Sequence, residues 1–425
     1  MSRQRIVVVG GGPAGMMAAI RAAGLKQEVT LLEKNSVLGK KLLLSGKGRC
    51  NLTNYCNLDS FLQRFSGNAQ FLRGAFKKFF NRDLLDFFEK RGLRLKVERQ
   101  QRVFPASDKS ASVLEVLERE LVKNKVNLLY GSRLQDIVVG DGRLKAVKLS
   151  DGRVILADRV ILATGGASYG FTGSTGEGLE LARKLGHAIT PLRPGLVALR
   201  TKEKYPALLE GLTLKNIRLK FTQPLRAGAG FSGGKRKIIS DIGELLFTET
   251  GISGPLVLTL SGSIIDWLRD SQKVFVEIDL KPALSIEQLD SRLLKEFALS
   301  PKKSFKNTLK GLLPQRLIDV FIDICAIAPD IKAAHVKKEE RRRLILLLKG
   351  LRMNITGSKG MEEAMITRGG VSLKDIDPAT MQSRRVKGLY FCGEMVDFDA
   401  DTGGFNLQAA FSTGYLAGES ASISD

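Results

Sequence analysis

An unbroken β-branched run over residues 6–9 is followed by a glycine-rich sextet and then by an apolar stretch of helical period, MMAAIRAAG. A strand covered on both faces reads as such a continuous run, so the switch of period across glycines predicts a strand-turn-helix start. A second apolar run over 29–32 ends in Glu33 and completes a βαβ unit of about 30 residues. Helical periodicity returns over 61–91 and 112–123. Short strands follow at 144–149 and 154–155 behind the DGR turns at 141–143 and 151–153, then a buried strand at 160–163. Past Pro191 the texture changes to strand segments separated by glycine-rich turns, among them KNIRLKFT, GELLFT and KVFVEIDL, and residues 285–350 then read as helices. A buried strand comes back at 389–393 and a final helix at 406–417. The pattern predicts a discontinuous α/β architecture: a nucleotide-binding domain over 1–190 and 352–425, interrupted by an insert over 191–351 that is β-rich to 283 and helical from 284.

Composition narrows the chemistry. No apolar run approaches the roughly 18 residues of a transmembrane span, and the start reads as a strand rather than a signal peptide, so no membrane insertion and a cytoplasmic location are expected. Four cysteines, Cys50, Cys56, Cys325 and Cys392, form neither a CxxC pair nor a zinc spacing, and only two histidines, His187 and His335, occur. Metal chemistry and a Ser/His/Asp triad are disfavoured, and no metal site is expected. His187 follows the helical LARKLG and reads as the end of that helix. The net charge of +23 attracts phosphates or anionic surfaces at a distance. Its densest clusters are Lys302, Lys303, Lys306 and Lys310, then Lys337, Lys338, Arg341, Arg342 and Arg343; they read as solvated helix faces in preference to a nucleic-acid surface.

The chemistry-bearing motifs lie at both ends. In Gly10-Gly11-Gly12-Pro13-Ala14-Gly15, Gly10 permits a tight turn, Gly12 lets backbone amides approach a pyrophosphate, Gly15 allows close helix packing, and the helix start attracts negative charge. Glu33 stands where an acid can hydrogen-bond a ribose diol, a single contact whose loss should leave folding intact. A second match to the glycine pattern, residues 228–233, lacks a following amphipathic helix and reads as a hairpin loop, leaving one dinucleotide fold. At the other end Gly393-Glu394 follows a strand and suits the hydroxyls of a ribityl chain. The sequence TGGFNLQ, at 402–408, opens a helix whose N–H groups suit the electron-rich edge of a flavin and would favour an anionic reduced ring. NAD has no ribityl chain, so the pair of ends points to FAD. Thr164-Gly165 ends a strand, and residues 39–54 form a polar glycine loop that reads equally as a phosphate nest or an exposed loop. Cys50 has no partner cysteine nearby and reads as a packing or flavin-adjacent residue rather than a nucleophile.

Together GGGPAG with Glu33, SGKGRCNLTN, ATGG, GSTGEG, GELLFTETGISGP and CGEMVDFDADTGGFNLQAAFSTG resemble the YhiN-like flavoproteins, the aminoacetone-oxidase-like or bile-acid-enone-reductase-like NAD(P)/FAD-dependent oxidoreductases. The resemblance runs over nearly the whole chain. It implies a glutathione-reductase-type FAD-binding Rossmann domain with a β-barrel-like plus helical insert. Residue by residue it implies Gly12, Ala14 and Gly15 at the pyrophosphate and Glu33 at the adenosine ribose, with Lys41, Ser45, Gly46, Arg49, Cys50 and Asn51 along the FAD. Glu394 falls on the ribityl side, and Gly404, Asn406 and Leu407 fall under the ring. Gly10, Pro13, Lys34, Thr164, Gly165, Gly393 and Asp397 complete the implied cofactor set. The expected reaction is hydride transfer between a small organic substrate and the N5 of noncovalent FAD, with NAD(P)H a possible donor and no catalytic acid or base identifiable. The rival is an RNA-associated flavoprotein of the tRNA-modification type, motivated by the +23 charge; aromatic content of 7%, and basic clusters without interleaved aromatics, count against it.

Overall fold

A computed structural model describes residues 3–423 except 68, 225–234 and 271–272. The glycine repeat at 228–233 therefore lies outside the described residues. The chain divides into two compact units, one of residues 1–195 with 361–425 and one of residues 196–360.

The first unit is built on a five-stranded sheet of β1 (Arg5–Val9), β2 (Glu28–Leu32), β3 (Asn127–Leu129), β4 (Arg159–Leu162) and β5 (Leu389–Phe391). The order is β5-β4-β1-β2-β3 and every neighbouring pair is parallel. Val7, Val8 and Leu31, and all four residues of β4, are buried, as continuous apolar runs demand of a sheet covered on both faces. Helix α1 (Pro13–Gly24) crosses between β1 and β2, and α2 (Phe405–Ala421) closes the chain against it. The expected meander is present as Leu134–Gly140, Arg143–Leu149 and Val154–Leu156; its first turn uses Asp141 and Gly142, both at positive φ.

In the first unit one predicted element differs. The helical pattern over 61–91 resolves into short helices Leu58–Leu62, Arg73–Lys78 and Asn81–Glu89. Phe79 is extended between the last two, and Phe61, Phe65, Phe76 and Phe80 fold onto one another as an aromatic cluster joined by Phe405 of α2. Burial of these rings outweighs continuation of a single helix.

The second unit holds a seven-stranded antiparallel sheet. Pairing of Thr213–Pro224 with Val274–Asp279 closes six of its strands into a barrel, with Lys235–Ile239 added at the edge. Strand Leu351–Ser358 belongs to this barrel, and the helices between 286 and 349 are an excursion before it. The fold is thus a discontinuous Rossmann domain with a barrel-plus-helical insert. No helix among the described residues is long and apolar enough to cross a membrane.

Candidate functional site

β1 passes to α1 through three glycines. Gly10 has a φ of +108°, and a Cβ there would lie 2.5 Å from the Ala163 carbonyl oxygen, so only glycine fits. Gly15 would place a Cβ 1.9 Å from the Gly10 carbonyl oxygen; its role is to seat the helix start on the turn. Helix-to-helix approach falls instead to Gly414 and Gly418 of α2, whose Cβ positions would lie 2.2 and 2.3 Å from the Ala14 and Ala18 carbonyl oxygens. At Gly12 a Cβ would meet nothing within 4 Å, and α1 starts with Pro13 and no side-chain cap. First-turn amides beside open space make a ready anion site.

Glu33, only 9% exposed, does more than end β2. One carboxylate oxygen accepts the Gly11 N–H at 2.8 Å and the other accepts the Asn35 N–H at 2.8 Å and its side-chain amide at 2.7 Å. Three of its roughly four acceptor positions are therefore taken, one bracing the glycine turn and two the loop after β2, which leaves one for a ligand hydroxyl. Glu33→Gln is expected to weaken FAD retention about tenfold or more, and also to lower the melting temperature of the apoprotein, because an amide cannot accept all three donors. Flavin content after dialysis and an apoprotein melt check both; an unchanged melt would mean that the bracing contributes nothing. Lys34 reaches away to Thr175 at 2.9 Å and Glu177 at 3.1 Å, tying the GSTGEG segment to the end of β2.

Past the end of β5 the carboxylate of Glu394 gathers a polar cluster. Lys41 Nζ donates to its two oxygens at 3.0 and 2.7 Å, the Thr367 N–H at 2.6 Å and the Ser168 hydroxyl at 3.1 Å. Ser168 and Thr367 are fully buried. The Thr367 hydroxyl accepts the Ala167 and Ser168 N–H groups at 2.8 and 3.0 Å, and a Cβ on Gly166 would strike it at 2.2 Å. Gly393, at φ +67°, lies against α1, with a Cβ there 2.8 Å from that of Ala14. Thr164 donates to the Met395 sulfur at 3.2 Å, and a Cβ on Gly165 would meet the Ser174 hydroxyl at 2.6 Å. Asp397 is held by its backbone N–H to Val371 O at 3.1 Å.

The 45–54 loop turns tightly, with Gly46, Lys47, Gly48 and Cys50 all at positive φ and the Cys50 N–H donating to Ser45 O at 2.9 Å. Burial pushes the Cys50 thiol up to about 12, which suits packing and not nucleophilic chemistry. The Asn51 side-chain oxygen is buried with no hydrogen-bond partner among the described residues. Arg49, expected along the cofactor, is committed elsewhere: its guanidinium pairs with Glu98 and Asp108 and stacks 4.1 Å over Phe104. Gly404, at φ +97°, would drive a Cβ to 2.5 Å from the Thr53 carbonyl, so the loop and the start of α2 meet backbone to backbone. Helix α2 has no side-chain cap. Asn406, expected under a ring, instead clamps the preceding loop, accepting the Ala400 N–H at 3.0 Å and donating to Ala400 O at 2.9 Å. Leu407 is partly buried against the core.

In the clamped loop, burial raises the Asp401 carboxyl to about 6, although Arg64 lies 3.7 Å away. A folded pKa above the unfolded one means that the folded state binds the extra proton, so stability rises as pH falls through about 6 and levels off near the unfolded value of about 4. Asp401→Asn should therefore stabilise the protein by about 2 kcal/mol at pH 8 and by less than half of that at pH 4.5. Urea denaturation at the two pH values measures this; equal shifts at both would show that the carboxylate carries no burial penalty.

An open Gly12, two uncapped helix starts, an acid with one acceptor position to spare and an unpartnered Asn51 oxygen fit an elongated anionic dinucleotide such as FAD. Asn35, Ser168 and Thr367 were not legible as site residues; Asn35 stands two places after Glu33, while Thr367 joins from 199 residues beyond Ser168. His187 is buried, with its ring nitrogens 2.9 Å from Ala182 O and 2.7 Å from the Ser383 hydroxyl, and burial lowers its pKa: it holds the core.

The HI0933-like protein Rossmann domain matches residues 4–420. A 3-dehydro-bile acid delta(4,6)-reductase of Clostridium scindens is 34% identical over 421 residues, 98% of each chain. Ribosomal RNA dihydrouridine synthases of Haemophilus influenzae and Escherichia coli are each 29% identical over 420 residues, 98% and 99% of this chain and 98% of theirs. A solved 3-ketosteroid-delta4-(5alpha)-dehydrogenase from Rhodococcus jostii RHA1 aligns with a TM-score of 0.49 at 16% identity, over 99% of this chain and 97% of that one. The chain belongs to the HI0933-like protein Rossmann domain family.

Proposed function

We propose that the protein transfers a hydride between a small organic substrate and noncovalently held FAD, with NAD(P)H as the electron donor. The observation that carries this reading is the Lys41–Glu394–Ser168–Thr367 cluster, assembled beside the glycine turn at the ends of parallel strands, where open α/β sheets take their ligands. Bound FAD would supply the hydride chemistry at N5. The chain would supply the rest: Ala14 and Gly15 amides for the pyrophosphate, Glu33 for the ribose, Glu394 for the ribityl hydroxyls, and the uncapped start of α2 for negative charge on the ring. Lys41 would hold Glu394 oriented as an acceptor. Support also comes from the Clostridium scindens relative, named a bile acid reductase.

The test is anaerobic. NADH or NADPH should bleach the oxidised flavin, and a conjugated enone should restore it; acid should release the flavin as FAD. Failure of either nucleotide to reduce the flavin would remove NAD(P)H from the proposal. A second reading, reduction of a base in RNA, is favoured by the relatives named ribosomal RNA dihydrouridine synthases, which match over the same span. Reoxidation by ribosomal RNA, and by none of the small acceptors, would select it.

A further inference from the structure

In the insert, Lys302 and Lys303 lie on no helix but on a short segment that pairs with another. Residues 301–306 lie antiparallel to 329–336: Phe305 N–H donates to Ile331 O at 2.8 Å, Ala333 N–H to Lys303 O at 2.9 Å and Lys306 N–H to Pro329 O at 3.0 Å, with a bridge between Ser304 and Lys332. Lys302, Lys303 and Lys332 stand on these paired segments, Lys337 and Lys338 follow shortly after the second, and all five are exposed. Among the described residues none of the five ammonium groups has a carboxylate partner, whereas nearby Lys306 pairs with Asp319 and Arg341 with Asp290.

The arrangement is unfavourable for the free chain. Backbone hydrogen bonds hold the segment of Lys302 and Lys303 beside that of Lys332, and Lys337 and Lys338 stand at the start of helix Lys338–Lys349, the end that prefers acids. The local acids answer only part of this: Glu340 is spent capping the Lys337 N–H at 2.8 Å, and Glu339 and Asp330 are the others on these segments. Flexible lysines in place of arginine forks suit phosphates taken as point charges, without readout of bases. Neither segment exposes a large apolar side chain among the described residues, which such a surface would need to enter a membrane interface.

We propose that this lysine surface docks the phosphate backbone of RNA. The proposal rests on the RNA reading above and adds where the RNA is held.

The test uses FAD-loaded, full-length protein and a fluorescein-labelled ribosomal RNA hairpin, followed by anisotropy across a salt series. Replacing Lys302, Lys303, Lys332 and Lys337 by glutamine should weaken binding by about tenfold or more and flatten the slope of log affinity against log salt by about 3. Flavin content and enone turnover should not change. Glutamine at Lys77, Lys90, Lys123 and Lys125, exposed lysines of the other unit, serves as the charge-matched control and should bind as the parent does. Equal weakening in both variants overturns the docking surface and leaves the RNA reading standing. No binding by the parent protein, or retention only on phosphatidylserine vesicles, overturns both.

Discussion

Gly414→Ala is expected to destabilise the protein by about 3 kcal/mol and to strip most of its flavin. The added methyl would lie 2.2 Å from the Ala14 carbonyl oxygen, 2.9 Å from its carbonyl carbon and 3.0 Å from its Cα, all backbone atoms of α1 with no rotamer to yield. Relief requires α2 to move off α1. Ala14 also borders Gly393, so the same movement opens the glycine turn and separates it from the Glu394 cluster. Gly311→Ala is the control, because nothing lies within 4 Å of the Cβ it would gain. Urea denaturation and the flavin-to-protein absorbance ratio of both variants measure the effect. Parent-like stability in Gly414→Ala would show that the two helices are not held at the separation described.

Glu394→Ala should have the second largest effect, a loss of about 2–4 kcal/mol shared between flavin retention and folding. The alanine leaves the Lys41 ammonium, the Thr367 N–H and the Ser168 hydroxyl without their common acceptor, and the last two belong to buried residues. Glu394→Gln keeps an acceptor for the Thr367 N–H but abolishes the ion pair with Lys41, so it should fall between the parent and Glu394→Ala in both readouts. Equilibrium FAD binding to the apoprotein, set beside apoprotein melts, separates the two parts. If flavin affinity is unchanged while the melt falls, the cluster is structural and Glu394 does not face the ribityl chain.

Two polar side chains expected along the cofactor are engaged by the protein itself. Arg49 stands in a loop that does reach the site, but its guanidinium finds Glu98 and Asp108 on the strand side, and a fork with two carboxylates and an aromatic face has no reason to turn elsewhere. Asn406 sits in the first turn of α2 as expected, yet an asparagine there satisfies the free backbone groups of Ala400 and Asp401 first, since leaving them unpaired costs more than a ligand contact returns. The aromatic cluster around Phe61 broke a helix that periodicity alone predicts, because periodicity reports which positions are apolar and not which rings will meet.

What the sequence determined by itself is what backbone geometry enforces over a few residues. The β1-glycine-α1 turn, Glu33 at the end of β2, the glycine start of α2 and the buried character of β4 and β5 all follow from local sterics and continuous apolar runs. Tertiary structure alone decided which distant groups share a charge. Lys41, Ser168, Thr367 and Glu394 are drawn together from four parts of the chain because a partly buried carboxylate must find donors, and any donor of suitable reach would satisfy it. The segments of Lys302, Lys303 and Lys332 meet for a different reason, a short backbone pairing that no side-chain pattern announces. Hydrogen-bonding partners and electrostatic neighbours depend on distance in space, and separation along the chain carries almost no information about it.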